Sequence, residues 1–270
     1  MNKSKIEKSK QTVQNHIKDK YGRIALYETS CCDNGPSNCC SNSEQDAISL
    51  SMQIGYSQDE ISDIPKGANL NLGCGNPQSF AEMKTGEVVL DLGSGAGFDC
   101  FLAARQVGTQ GKVMGIDMTF EMVRKAKNNA ISGSFTNTFF QLGQIEHLPI
   151  KSSSIDVVIS NCVINLSTEK DQVFREIYRT LKPGGRLAVS DVIALMALPS
   201  EIKNDLELYS ACFSGALEHN KLGCLLERVG FSEISIDFDP KSQDITQSWS
   251  LKHDPGSYIR SASIKAVKPL

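Results

Sequence analysis

Two sets of residues in this chain could do chemistry. The first is the stretch VVLDLGSGAGFD, Val88 to Asp99. A short apolar run closes on Asp91, and Gly93, Gly95 and Gly97 then turn the chain into a segment that reads as a helix from about Phe98. Strand, glycine turn and helix in that order let a ligand approach bare backbone, with the free N–H groups of the helix aimed at it. The second set is nine cysteines: Cys31, Cys32, Cys39, Cys40, Cys74, Cys100, Cys162, Cys212 and Cys224. No stretch has the apolar core of a signal peptide or the length of a membrane span, so a reducing cytoplasmic setting is expected. There, such a set points to soft-ion binding or redox chemistry before a disulfide scaffold.

The surroundings of the turn narrow its ligand. A second strand, Lys112 to Ile116, ends in Asp117 about twenty residues beyond Gly97. A carboxylate there suits the two hydroxyls of a ribose. The glycine spacing is G-x-G-x-G, not the dinucleotide G-x-G-x-x-G, and Asp91 stands directly before it. A carboxylate repels a pyrophosphate but favours a cationic amino-acid moiety. The pattern therefore points away from NAD and towards S-adenosylmethionine, and resembles the first two motifs of class I methyltransferases.

The elements that must position these residues read as alternating strands and helices. A third strand, Thr136 to Leu142, leads to Ile145 and Glu146, candidates to face an adenine. A fourth, Ile155 to Ser160, runs into Asn161 and Cys162 at its carboxyl end, where open α/β sheets bind ligands. A helix from Thr168 to Leu181 and a fifth strand, Arg186 to Val192, follow, with Lys182-Pro-Gly-Gly185 as the stop between them. Two helices, Ser200 to Phe213 and Glu218 to Val229, and two β segments, Phe231 to Phe238 and about Tyr258 to Val267, complete the chain. The expected fold is a Rossmann-like α/β sheet with helices on both faces. Its divisions are residues 1–65 (a helix and a Cys-rich loop), 66–195 (the cofactor-binding domain) and 196–270 (a substrate-binding lid that completes the sheet). At 270 residues and 40% hydrophobic content there is material for one sizeable core, and a net charge of −3 gives no case for nucleic acid. The lysines of the first helix read as a solvated face. The loop 29–46, with its two Cys-Cys pairs, reads equally as incidental thiols or as an arm that captures a soft ion.

Cys74 lies between two glycines in NLGCGNP, a setting that reads as an accessible thiol. Cys100 reads as a buried, inert one. The segments NLGCGNP, VVLDLGSGAGFDC, VMGIDMT, VVISNCVINL, FREIYRTLKPGGRLAVSDV and ACFSGAL together resemble the bacterial and archaeal arsenite methyltransferases. The likeness runs over about residues 18–235 and includes YGRIAL with the double Cys after it. It implies methylation of trivalent arsenic by S-adenosylmethionine. By motif, Cys74, Cys162 and Cys212 match the family's arsenic-binding cysteines, and one of Cys31, Cys32, Cys39 or Cys40 stands for its N-terminal cysteine. Leu72 stands where animal members carry a tyrosine. The cofactor contacts expected on this reading are Asp91, Gly93, Ser94, Gly95, Gly97, Asp117, Met118, Ile145, Glu146 and Asn161. The expected partners are arsenite or its thiol conjugates and a thiol reductant such as thioredoxin or glutathione, with no nucleic acid or membrane, and the protein is expected to be a monomer. Alternative readings are a methyltransferase of an organic small molecule such as a quinone, a zinc-dependent thiol methyltransferase, and a non-catalytic metalloid buffer.

Overall fold

The computed structural model describes residues 3–27, 44–240 and 257–270. The expectations for Cys31, Cys32, Cys39 and Cys40 and for the polar stretch Lys241 to Pro255 lie outside the described residues.

Seven strands form one sheet in the order β3-β2-β1-β4-β5-β7-β6. Strands β1 (Val88–Leu92), β2 (Lys112–Asp117), β3 (Thr138–Leu142), β4 (Ile155–Asn161) and β5 (Leu181–Ala194) are mutually parallel. β7 (Ile259–Val267) inserts antiparallel between β5 and β6 (Ser232–Phe238). The carboxyl ends of β1, β2 and β4 thus lie side by side, and the order reverses between β1 and β4, where an open α/β sheet leaves a crevice.

Strand alternation sends neighbouring residues to opposite faces. Leu90, Leu92 and Val158 pack against Val173, Phe174 and Ile177 of α6 (Lys170–Thr180) and Leu222, Leu225 and Leu226 of α9 (His219–Val229). Val89, Val157 and Ile159 meet Cys100, Phe101 and Val107 of α4 (Phe98–Val107) and Val123 and Ala126 of α5 (Phe120–Ser132). Each fully buried large side chain contributes about 1.5–3 kcal/mol of transfer free energy. α6 shows why these segments are helices: its buried residues fall at positions 173, 174, 177 and 180, the spacing of one helical face.

α1 (Lys3–Tyr27) lies across the carboxyl end of the sheet. Ile17 packs with Cys74, Cys162 and Cys212, and Ile24 and Ala25 pack with Met122. α2 (Glu44–Gln53) and α3 (Gln58–Ser62) follow, the latter capped by a reciprocal Ser57–Glu60 box. Two elements differ from the sequence reading. Leu181 already pairs with Ile155, so β5 begins before the Pro-Gly-Gly segment, which is accommodated as a bulge. The helix expected over Ser200 to Phe213 is two short ones, α7 (Ser200–Lys203) and α8 (Leu206–Ser210). Asp205 caps α8 by accepting from the backbone N–H groups of Glu207 and Leu208, so the chain restarts there.

Candidate active site

A cavity of about 1170 Å³, counting its open mouth, sits over the carboxyl ends of β1, β2 and β4. Of the expected cofactor contacts, Asp91, Gly93, Ser94, Gly95, Asp117, Met118, Ile145, Glu146 and Asn161 line it. Gly97 does not. A Cβ there would lie 2.7 Å from the Phe101 ring, and its φ of +97° is one L side chains rarely adopt. Its glycine serves the turn and the packing beneath it. Gly93 differs: at φ +68° a Cβ would overlap the Val163 side chain, so glycine lets the turn pass close under the segment just beyond β4. His147 is exposed and lies off the cavity.

Asp117 is nearly buried and accepts from Gly95 N–H at 3.0 Å and Thr119 N–H at 2.8 Å. Each oxygen keeps a lone pair for a further donor. Burial raises its pKa above the usual carboxylate range. At the other end, burial lifts Asp91 well above its ordinary value, and the charge of Asp99 adds to this. Asp99 is also raised by burial, against donors from Tyr56 (2.7 Å), Gln78 and Asn161. Two buried carboxylates raised together are relieved by a cation between them. Ser94 Oγ is buried without a hydrogen-bond partner among the described residues. A ligand with an ammonium group at one end and a ribose at the other fits this donor set, and that is the shape of S-adenosylmethionine.

The sequence reading missed part of the wall. Gln14, Ile17 and Tyr21 of α1 and Tyr56 and Asp99 also line the cavity. Only the helical period of the first segment hinted that α1 had a buried face. Cys100 was read as inert. It is fully buried, yet its Sγ donates to Asp91 Oδ2 at 3.2 Å, so it touches the cavity's chemistry. Cys224 is exposed on α9.

Cys162 forms the cavity's edge, one residue past β4. Its thiol interacts with those of both Cys212 and Cys74, and these contacts, with burial, lift its pKa well above normal. Cys212 Sγ donates to the Cys162 carbonyl oxygen at 2.7 Å. The Cys212 contact with Cys162 lowers its pKa, but burial and the nearby Asp191 outweigh this and leave it raised. Cys162 and Cys212 both hold left-handed backbone, φ +60° and +63°. Non-glycine residues occupy that region at a cost of about 1–3 kcal/mol, which the surrounding structure must sustain. Here the strain turns two thiols from different segments towards each other. The Cys212 loop lies flush on the Asn165 carbonyl at Gly215, where a Cβ has no room.

Cys74 is 1% exposed, so the accessible thiol inferred from its glycine neighbours is corrected. The glycines permit close packing instead: a Cβ on Gly73 would lie 2.6 Å from Asn161 Nδ2, and one on Gly75 2.9 Å from Ser190 Oγ. Asn161 holds the segment by accepting from Cys74 N–H at 3.0 Å and donating to the Gly75 carbonyl at 2.8 Å. One carboxylate joins the thiols. An oxygen of Asp191 and the sulfurs of Cys74 and Cys162 lie within 4.8 Å of one another. Burial raises Asp191 to a pKa of about 6. Lys170, lowered by burial to about 8, sits behind it and donates to the carbonyls of Asn165 (3.2 Å) and Ser167 (2.6 Å). No sequence signal marked Asp191, which lies inside an ordinary strand.

The comparisons agree with this geometry. Residues 83–230 match a family model described as "Methyltransferase domain". The arsenite methyltransferase of Halobacterium salinarum is 43% identical over 94% of this chain and 66% of its own length. That of Aquipseudomonas alcaligenes is 47% identical over 54% of this chain and 44% of its own, and that of Homo sapiens 43% identical over 53% and 40%. The chain thus spans just under two thirds of the archaeal relative and under half of the others. Among solved structures, the arsenic(III) S-adenosylmethionine methyltransferase of Chlamydomonas reinhardtii aligns with a TM-score of 0.62 at 32% identity, over 83% of this chain and 73% of that one. Haemonchus contortus phosphoethanolamine N-methyltransferase 2 aligns with a TM-score of 0.63 at 19% identity, over 94% and 60%, a likeness of fold. No described helix is long and apolar enough to cross a membrane. With more than half of its length matched by the family model and this sheet beneath the site, the chain belongs to the methyltransferase-domain family and has the class I methyltransferase fold.

Proposed function

We propose that this protein transfers methyl groups from S-adenosylmethionine to trivalent arsenic held by the thiolates of Cys74, Cys162 and Cys212, giving methylated arsenicals. The observation that carries the reading is the meeting of three buried thiols at the edge of a cavity suited to that cofactor. Similarity to arsenite methyltransferases from archaea, bacteria and animals supports it.

Asp117 takes the ribose hydroxyls, Asp91 and Asp99 the ammonium group, and Ile145 and Glu146 flank the base. Bound there, the cofactor supplies a sulfonium methyl group, an electrophile. The chain's own part is to bind and orient. Trivalent arsenic is soft and prefers thiolate ligands. Held by three sulfurs it keeps one lone pair, so transfer needs no general base, and the site offers thiols where a base would otherwise stand. Positioning is then the main contribution, and fixed geometry of this kind is worth up to about 7–11 kcal/mol. The strained backbones of Cys162 and Cys212 serve that fixing. One of Cys31, Cys32, Cys39 or Cys40 delivers arsenic to the buried site, and a thiol reductant such as thioredoxin or glutathione resets the thiols. The enzyme acts as a cytoplasmic monomer, and residues 1–65, 66–195 and 196–270 serve as delivery arm, cofactor domain and lid.

The test is incubation with arsenite, a thiol and methyl-labelled cofactor, followed by chromatographic identification of labelled arsenicals. Label in a monomethylated arsenical that depends on Cys162 supports the reading. Label only in an organic acceptor, indifferent to arsenite, replaces it with the small-molecule reading.

A further inference from the structure

We propose that Asp191 is the counter-charge of the reaction, a fixed carboxylate that stabilises the positive charge reaching arsenic as the methyl group arrives. The inference rests on the reading of the thiol cluster as an arsenic site.

Three observations carry it. Asp191 is 3% exposed and one of its oxygens lies within 4.8 Å of the sulfurs of both Cys74 and Cys162. Among the described residues its carboxylate meets donors: Val192 N–H at 2.8 Å, Asn165 Nδ2 at 2.9 Å and Asn165 N–H at 3.2 Å. A carboxylate surrounded by donors is held as the anion and cannot turn away. Lys170 is tied to the carbonyls of Asn165 and Ser167 and makes no ion pair with Asp191, so it offsets the charge without quenching it.

The chemistry supplies the need. Arsenic bound by three thiolates is neutral. In the transfer the arsenic lone pair becomes the new As–C bond, and the S–CH₃ bond breaks with its electron pair staying on the cofactor sulfur. No proton moves and nothing external is consumed, but one positive charge passes from sulfur to arsenic. A preorganised carboxylate beside the arsenic therefore favours the transition state, in which the charge is moving onto arsenic, over the ground state, in which it still sits on the cofactor sulfur, and in a dry site its effect is large. The other charged groups facing this corner are Lys170 and Glu146, with the Tyr209 phenol beyond them. Of these, Asp191 is the one grouped with the sulfurs of Cys74 and Cys162.

The test uses Asp191→Asn in the full chain, with folding checked by circular dichroism. Arsenite binding, measured by equilibrium dialysis without cofactor, is expected to stay within threefold. The single-turnover methylation rate at saturating arsenite is expected to fall by about thirtyfold or more. A third measurement needs neither arsenic nor cofactor. Modification of Cys162 by a cationic and a neutral methanethiosulfonate is followed by peptide mass spectrometry, and the cationic-to-neutral rate ratio is expected to fall about tenfold. A rate within threefold of wild type, an unchanged reagent ratio, or loss of arsenite binding in step with the rate each overturns the proposal. If Asp191→Asn does not fold, Asp191→Ala is assayed with and without formate, and no formate-dependent recovery is equally fatal. Absence of arsenite methylation by the wild-type chain removes the underlying reading, and is seen before any variant is made.

Discussion

The two halves of this site are built differently. The cofactor cavity takes its key groups from the ends of adjacent parallel strands: Asp91 as the last residue but one of β1 and Asp117 as the last residue of β2, with a glycine turn following β1. The thiol cluster draws Cys74 from a glycine-flanked turn, Cys162 from just past β4 and Cys212 from just past α8. Two of those three residues sit in left-handed backbone. The first half follows from sheet topology, because parallel strands must end together. The second depends on loops whose conformation the rest of the fold enforces. On the proposed reading, one substrate's place comes from the architecture and the other's is held in local strain.

The sharpest way to break this comparison is to remove a thiol. Cys162→Ser and Cys212→Ser are each expected to lower arsenite methylation at least a hundredfold, about 3 kcal/mol in barrier. Cofactor affinity by calorimetry should stay within threefold for both. Near wild-type turnover in either variant places the arsenic elsewhere. A parallel loss of cofactor affinity says that the halves are one cooperative unit.

The converse variant is Asp117→Ala. It removes the acceptor of two backbone N–H groups and the expected partner of the ribose. Cofactor binding should weaken by about 1–3 kcal/mol, and arsenite binding should not change. Unchanged cofactor affinity refutes the ribose assignment.

How far each half was legible in sequence follows from the same difference. The run from Val88 to Asp117 encodes its own geometry, because a short apolar strand, a glycine turn and a second strand leave one arrangement available. Nine of the ten expected contacts line the cavity, and the exception, Gly97, belongs to the same turn but packs on Phe101. The cysteines announced a residue type without a geometry. Spacing could not show that Cys74 is buried, that Asp205 restarts the helix before Cys212, or that Asp191 joins the thiols. The burial of Cys74 and the place of Asp191 arise from packing between segments distant in the chain, and the Asp205 restart from a local cap that the helical period did not reveal. Tyr56 likewise meets its partner Asp99 only through the tertiary fold.

A smaller effect separates the halves by pH. Lys170, behind the thiols, has a folded pKa of about 8 through burial, against 10.5 for the free side chain. Below pH 8 both folded and unfolded chains hold the proton, and confinement of the ammonium is fully destabilising. Between 8 and 10.5 the folded chain has released a proton that the unfolded chain keeps, so this group's contribution to stability improves as pH rises. Between pH 7.5 and 9, the unfolding free energy of wild type relative to Lys170→Met should rise by about 1 kcal/mol, read from urea titrations in excess reductant. A flat difference means the ammonium is already hydrated in the folded state.

The smallest effect concerns the two cysteines outside the cluster. Only one of them lies free of the chemistry. Cys224 is exposed on α9, so Cys224→Ser should change nothing measurable. Cys100 donates its S–H to Asp91, one of the three raised carboxylates that line the cavity. Serine in its place still offers a donor and should retain most activity. Alanine leaves Asp91 short of a partner, at about 1 kcal/mol, the worth of one ordinary hydrogen bond. Because Asp91 belongs to the cofactor half, that loss should appear as a roughly fivefold weaker cofactor affinity, with arsenite affinity unmoved. If Cys100→Ala instead weakens arsenite binding and spares the cofactor, then Asp91 serves the thiol cluster, and the boundary drawn between the two halves is in the wrong place.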